Sequence, residues 1–189
     1  MKISEVNPNT SKGSYGKGLN LARLWSLHAL SKIKNTFDTI YILGSWYGNI
    51  SIMIALLKKY LKYKKIINVE ADKKALQASD ETIDKLGIKN IEPMLADANE
   101  LDYRQLDKNG LVVCFSCMNI RGTDWFYNIP EGTMVMLQAR TNDPKAVTQF
   151  KNFNDFANTY RMSEIIHTDK LNLSDPETDY TAWLLIGIK

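Results

Sequence analysis

Short apolar runs alternate with amphipathic stretches along most of the chain. Five runs rich in β-prone residues predict buried strands at 39–43, 66–69, 91–95, 111–115 and 133–137. Two further strands, at 162–172 and 180–188, close the chain. The turn-rich residues 174–177 leave no room for a helix between these last two strands, which must therefore form an antiparallel hairpin.

This order of elements predicts an α/β fold with a doubly wound, mostly parallel, seven-stranded sheet and a C-terminal antiparallel hairpin. Near-continuous apolar strands predict that both faces of the sheet are covered, with strand 39–43 near the centre. We expect one domain over residues 1–189. It would begin with a flexible arm at 1–18, followed by a leading helix at 19–34.

Helical periodicity predicts which side chains face the core. In the leading helix, spacings of three and four predict an apolar face made of Leu21, Leu24, Trp25 and His28, with His28 as a core or boundary residue. The helix that begins at Gly48 carries an apolar stripe that runs to Leu61. Asp72 can cap the next helix, and Gly87 can end it.

Composition and charge narrow the function classes only slightly. The chain is 44% hydrophobic and carries a formal charge of +3, which is too small to indicate nucleic-acid binding by itself. We expect a cytoplasmic protein without a membrane partner, because no signal-like or membrane-spanning apolar run occurs. Five lysines fit the solvated face of a helix and the turn after it: Lys58, Lys59, Lys62, Lys64 and Lys65.

The two cysteines, Cys114 and Cys117, predict neither a metal site nor a disulfide. A single Cys-x-x-Cys without a second pair or clustered histidines is weak evidence for zinc. His28 and His167 are far apart in sequence and offer no ligand spacing.

Ligands of open parallel sheets bind beyond the carboxyl ends of the strands. After the first strand, the loop Gly44–Gly48 lets the backbone approach a ligand at a helix N-terminus. Glu70 follows the second strand, about 20 residues after Gly48, and is placed to accept hydrogen bonds from ribose hydroxyls; the alternative is a solvated glutamate. After the third strand, Asp97 can accept a hydrogen bond from an adenine amino group or cap a helix.

The same order resembles the class I methyltransferases that use S-adenosylmethionine, whose fold is Rossmann-like. Residues 40–49, 69–72 and 95–98 look like the first three motifs of that family. The resemblance implies S-adenosylmethionine as cofactor. The positions that it implies for cofactor binding are Gly44, Ser45, Trp46, Gly48, Asn49, Glu70, Ala71, Asp97, Ala98 and Ser116.

The chain departs from the family pattern at two positions of the first motif and in the fourth motif. Trp46 replaces the middle glycine, and Ile42 stands where an acidic residue is usual. Residues 116–119 are not the Asn/Asp-Pro-Pro-aromatic sequence of base amino-group enzymes. Cytosine-C5 enzymes carry a nucleophilic cysteine near this point, but Cys117 lacks their preceding proline and is expected to pack as a small residue.

The methyl acceptor is expected at the same edge of the sheet, beneath the N-terminal arm. Four residues are candidates for the acceptor side: Asn119, Trp125, Gln138 and Arg140. Residues 125–138 also resemble small phage-encoded methyltransferase-like proteins. The acceptor would be a small molecule or a nucleic acid, and the sequence indicates neither catalytic residues nor an oligomeric state.

Three hypotheses of function remain open at this point. The first is a methyltransferase that uses S-adenosylmethionine. The second is a non-catalytic domain that binds an adenosyl ligand or a partner, suggested by Trp46 and Ile42. The third is an NAD-linked oxidoreductase, which the missing Gly-x-Gly-x-x-Gly sequence and the terminal hairpin disfavour.

Overall fold

The computed structural model describes residues 17–34, 36–143, 146–175 and 178–189. Its strands are β1 (Thr36–Leu43), β2 (Lys62–Glu70), β3 (Ile91–Leu95), β4 (Leu111–Cys114), β5 (Met134–Arg140), β6 (Glu164–Asp175) and β7 (Thr178–Ile188). They form one seven-stranded sheet in the order β3-β2-β1-β4-β5-β7-β6. The first five strands are parallel, and β7 is antiparallel to β5 and β6. The predicted fold class, the central first strand and the C-terminal hairpin are confirmed.

The helices divide into long and short ones. Within the described ranges they are α1 (Lys17–Ile33), α2 (Asn49–Leu56), α3 (Lys73–Lys85), α4 (Asp124–Tyr127) and α5 (Phe153–Thr159). Short 3₁₀ helices span Tyr103–Gln105 and Cys117–Asn119. Of the helices in this part of the chain, none has the length and apolar character that crossing a bilayer requires.

Two separate cores lie on the two faces of the sheet, because successive strand residues point to opposite sides. Ile40 and Ile42 of β1 pack with α1 and α2 on one face, which we call the helical face. Tyr41 and Leu43 pack on the other, which we call the aromatic face. The rings that name this face are those of Tyr103, Trp125, Phe126, Phe156 and Tyr160.

The inner face of α1 differs from the predicted one. The residues buried beneath it are Ala22, Ser26, Leu27 and Leu30, whereas Leu21, Leu24 and His28 are exposed. The spacing of apolar residues predicted the wrong face because a polar residue is buried. Ser26 Oγ accepts a hydrogen bond from Gln138 Nε2 on β5 at 2.8 Å. The predicted core or boundary position of His28 is therefore wrong.

Helix α2 is shorter than its apolar stripe predicts. It ends at Leu56, and β2 already begins at Lys62, which pairs with Thr36 of β1. Because β1 extends back to Thr36, its pairing draws residues 62–65 into an extended strand. The prediction that the five lysines lie on one helix face and its turn is therefore wrong for Lys62, Lys64 and Lys65.

Three further predictions concern connections. The cap of α3 is confirmed, since Asp72 Oδ1 accepts hydrogen bonds from the N–H groups of Lys74 and Ala75 at 2.8 and 3.2 Å. No helix begins at Asp97, because residues 96–102 form turns and loop. Residues 1–16 of the predicted arm and 176–177 of the predicted hairpin turn lie outside the described residues.

Candidate functional site

The loop after β1 has a left-handed backbone at three of its five positions. The φ angles are +61° at Gly44, +51° at Trp46 and +72° at Gly48. Among the described residues, Trp46 is the one residue other than glycine or asparagine with a positive φ. A side chain makes this conformation costly, whereas glycine adopts it freely. Trp46 therefore retains the backbone conformation of a glycine while carrying an indole.

The surroundings of the two loop glycines differ. Apart from its two chain neighbours, no described residue has an atom within 4 Å of a Cβ atom placed on Gly44, so the described residues leave the loop open on that side. A Cβ atom on Gly48 would collide with Ser79 Oγ of α3. The indole of Trp46 is 40% exposed and lies 5.8 Å from the ring of Tyr47. Gly48 thus permits close packing of the loop on α3, while the surface over Gly44 stays accessible to a ligand.

Glu70 holds the glycine loop through its carboxylate. Its Oε2 accepts a hydrogen bond from the Trp46 N–H at 2.7 Å, and its Oε1 accepts one from the Asp72 N–H at 3.0 Å. A solvated glutamate would make neither contact. Each carboxylate oxygen can accept more than one hydrogen bond, so Glu70 retains the capacity to bind a hydroxyl group. Sequence reasoning predicted the position of this acid and missed its contact with the loop.

The carboxyl ends of the first three strands are tied together by backbone hydrogen bonds. The Ser45 N–H donates to Val69 O at 3.1 Å, and the Ala96 N–H donates to Glu70 O at 3.1 Å. The hydroxyl of Ser45 is buried and has no hydrogen-bond partner among the described residues. The loop, the end of β2 and the residues before Asp97 therefore form one continuous edge.

Asp97 is exposed and is oriented by Asn99, a residue that sequence reasoning missed. Asp97 Oδ1 accepts from the backbone N–H of Asn99 at 2.8 Å and from its Nδ2 at 3.0 Å. Asn99 Nδ2 also donates to Arg121 O, and its Oδ1 accepts from the Trp125 N–H. Asn99 therefore joins the loop after β3 to the loop after β4. The Asp-x-Asn spacing, typical of side-chain turns, was the available signal.

The remaining predicted cofactor positions vary in exposure. Ala71 is exposed, Ser116 is half-buried and Ala98 is buried. Asn49 is buried at the first turn of α2. Ile42 is completely buried in the core of the helical face, so the position where the family carries an acid does not face the edge.

Asn119 is the predicted acceptor-side residue whose polar group remains available. Its Oδ1 is buried and has no hydrogen-bond partner among the described residues. An unpaired buried acceptor of this kind carries a desolvation cost and is a candidate for ligand contact.

The other three acceptor-side candidates are engaged within the protein. Trp125 is fully buried among the rings of the aromatic face. Gln138 donates to Ala22 O and to the hydroxyl of Ser26 beneath α1. Arg140 forms an ion pair with the buried Asp143 at 2.9 Å. These three side chains are packed or paired within the protein, and their role on the acceptor side stays a prediction.

Both cysteines lie in the core beside β4. Burial raises the pKa of the Cys114 thiol to about 12 and that of Cys117 well above its usual value. The Cys117 thiol donates to Gln138 O at 3.2 Å. A thiol that stays protonated is a poor nucleophile, which supports the interpretation of Cys117 as a packing residue.

Sequence comparison finds no matching family model and no matching curated protein. Solved structures, in contrast, share the fold. N-methyltransferase NodS from Bradyrhizobium japonicum aligns with a TM-score of 0.64 at 10% identity, covering 92% of this chain and 98% of that one. An S-adenosylmethionine-dependent methyltransferase from Clostridium acetobutylicum aligns at 0.59 and 12% identity, covering 97% and 95%. TrmK from M. capricolum, solved with S-adenosylhomocysteine, aligns at 0.60 and 17% identity, covering 86% and 66%.

At these identities the likeness establishes the fold. The chain has the Rossmann-like methyltransferase fold, with its seven-stranded sheet and C-terminal antiparallel hairpin. By their descriptions none of these three neighbours is a phage protein, so the narrower resemblance of residues 125–138 to phage-encoded proteins stays a prediction.

Proposed function

We propose that this protein is a methyltransferase that uses S-adenosylmethionine. The observation that carries the proposal is the hydrogen bond that the Trp46 N–H donates to the Glu70 carboxylate, beside the open surface of Gly44. It unites an acid at the end of β2 with a glycine-type loop at the end of β1, where ligands of this fold class bind. The neighbours described as methyltransferases support the same assignment.

The residues present at this edge fit the proposed cofactor. Glu70 would accept hydrogen bonds from the ribose hydroxyls, and Asp97 from the adenine amino group. The accessible backbone at Gly44 would approach the cofactor closely, with the buried hydroxyl of Ser45 beside it. Ala71 and Ala98 would flank the adenine. The bound cofactor supplies an electrophilic methyl group on a positively charged sulfur.

On the acceptor side, the proposed contact is Asn119. Its unpaired Oδ1 would accept a hydrogen bond from an amino or hydroxyl group of the acceptor and hold that group in place. Methyl transfer depends mainly on alignment, so a positioning amide is sufficient without an acid–base pair. The acceptor is a small molecule or a nucleic acid.

Calorimetric titration with S-adenosylmethionine, S-adenosylhomocysteine and NAD tests the proposal directly. We expect both adenosyl ligands to bind and to raise the melting temperature, whereas NAD binds more weakly or not at all. A preference for NAD would support the oxidoreductase hypothesis instead. Absence of binding by all three at millimolar concentration would favour a partner-binding domain on the same fold.

Replacement of Glu70 by glutamine tests the residue that carries the proposal. Glu70→Gln should weaken binding of S-adenosylhomocysteine by roughly 1.5–3 kcal/mol, or about tenfold or more, because it removes a charged acceptor. Glu92→Gln is the matched control, since Glu92 is exposed on β3 away from the glycine loop. If both variants bound S-adenosylhomocysteine with equal affinity, the role of Glu70 would be purely structural.

A further inference from the structure

The connection between α2 and β2 carries a surface that the proposed function does not use. We call residues 56–62 the basic turn. Leu56 and Tyr60 are 73% and 59% exposed, the highest values of any large apolar side chain among the described residues. Lys58, Lys59 and Lys62 stand beside them and are exposed.

The lysines of the basic turn have no acidic partners among the described residues. Lys58, Lys59 and Lys62 form no ion pair with any described residue, whereas the following Lys64 and Lys65 pair with Asp38 and Glu92. The ten residues 56–65 contain five lysines and no acid, although the whole chain carries only +3. Like charges placed so close repel one another in the free protein, and a polyanion would relieve that repulsion.

The backbone of the basic turn is anchored, so its side chains are presented from a fixed frame. Leu61 is completely buried in the core of the helical face. The N–H groups of Tyr60 and Leu61 both donate to Leu57 O, at 2.7 and 3.0 Å. The exposure of the Tyr60 ring is therefore explained neither by local unfolding of the turn nor by packing against the rest of the protein.

We propose that the basic turn binds single-stranded nucleic acid. Lys58, Lys59 and Lys62 would contact phosphates, and the ring of Tyr60 would stack on an unpaired base. Proteins bind single-stranded nucleic acid with cationic groups placed along its phosphate backbone and with aromatic rings that stack on its bases. Leu56 adds apolar surface beside the ring.

A bilayer fits this surface less well. Membrane-surface helices need a continuous apolar face turned outward. Ile50, Ile52 and Ile54 of α2 are instead buried, and Leu56 at its C-terminal end is the one exposed apolar residue of this helix. The basic turn therefore exposes two apolar side chains among lysines rather than an amphipathic helix.

The basic turn is distinct from the candidate methyltransferase site. It lies at the amino end of β2, whereas Glu70 lies at the carboxyl end, about 26 Å away for a strand of this length. The inference is consequently independent of the proposed cofactor. A bound strand would be anchored at the edge of the sheet opposite the glycine loop.

Fluorescence anisotropy with a labelled 20-nucleotide oligo(U) RNA, over a salt series and without cofactor, tests the proposal. We expect salt-dependent binding with a slope of about −2 in a plot of log K against log salt, as three phosphate contacts require. Lys58→Glu with Lys59→Glu should weaken binding at least tenfold and reduce the slope. Tyr60→Ala should weaken it about fivefold or more without changing the slope.

The matched control is Lys151→Glu with Arg161→Glu, which changes net charge equally at two exposed positions elsewhere. This control should bind RNA within twofold of the unaltered protein. Lys58→Gln with Lys59→Gln should repeat the loss of RNA affinity with neutral side chains. Melting curves show that each variant is folded. Absence of RNA binding, or an equal loss in the control, would overturn the proposal. So would binding confined to vesicles of phosphatidylcholine and phosphatidylserine.

Discussion

The two faces of the sheet are covered by different means. On the helical face, α1 and α3 are long helices of 17 and 13 residues, and the core consists mainly of aliphatic side chains. On the aromatic face, α4 and α5 have only 4 and 7 residues, and aromatic rings in tilted and edge-to-face contact fill the space instead. Both arrangements bury the same central strands. The fold therefore requires that each face of the sheet is covered, but it does not require a long helix to cover it.

Tyrosine hydroxyls on the aromatic face donate hydrogen bonds to backbone carbonyl groups. Tyr103 donates to Ala98 O at 2.9 Å, Tyr127 to Thr159 O at 3.1 Å, and Tyr160 to Cys117 O at 3.4 Å. Unpaired buried carbonyl groups are costly, so Tyr103 and Tyr160 both fill volume and hold a loop, whereas Tyr127 is half exposed. On the aromatic face a single tyrosine therefore provides both packing and a hydrogen bond, which several residues of a helix provide together on the helical face.

The largest expected effect is the loss of a ring from the aromatic face. Trp125 is completely buried, with its ring 5.4 Å from that of Tyr160. Trp125→Ala should lower the free energy of unfolding by about 3–5 kcal/mol, because short helices cannot close around the cavity. Urea unfolding followed by circular dichroism measures the loss.

Leu27→Ala provides the comparison on the helical face, since Leu27 is also completely buried. A typical cost for this change is about 2–5 kcal/mol. Trp125→Phe separates packing from polarity, because the indole N–H is buried without a partner among the described residues. If Trp125→Ala cost less than Leu27→Ala, the view that the rings carry the aromatic face would be wrong.

Added volume should also be costly on the helical face, at the point where the glycine loop packs on α3. Gly48→Ala combines a φ of +72° with a collision against Ser79 Oγ, so we expect a loss of about 2–4 kcal/mol. Gly44→Ala is the matched control, with a φ of +61° and no contact from the added Cβ to other described residues within 4 Å, and should cost about 1–2 kcal/mol. Equal losses in thermal or urea unfolding would show that the contact with α3 can relax.

The same contrast explains what the sequence could predict. Strand 91–95 and the Asp72 cap were predicted as observed, because apolar runs and capping residues act locally. The inner face of α1 could not be predicted, because Ser26 is buried by a bond to Gln138, 112 residues away. The end of α2 was set by the pairing of Lys62 with Thr36, which is 26 residues away and also outside the helix.

The candidate site follows the same rule. Glu70 and the loop glycines were found from the spacing of strand ends, which is a property of the fold class. The roles of Asn99 and of the Glu70–Trp46 bond depend on where separate loops meet. The burial of Trp125 and the pairing of Arg140 depend on packing that periodicity does not encode.

Trp46 belongs to neither face, and its replacement gives the smallest expected effect. Because its φ is +51°, Trp46→Gly should be more stable than Trp46→Ala by about 1 kcal/mol, the reverse of the usual order. Comparing two variants that both lack the indole removes the ring's own packing from the difference. Tyr47→Gly and Tyr47→Ala form the control pair, since φ at Tyr47 is not positive, and there alanine should be at least as stable. Melting temperatures should differ by roughly 2–4 °C within the Trp46 pair. If the alanine variant were the more stable one at both positions, the loop would not hold residue 46 in a left-handed conformation. The hydrogen bond from the Trp46 N–H to Glu70 would then not serve to fix that conformation.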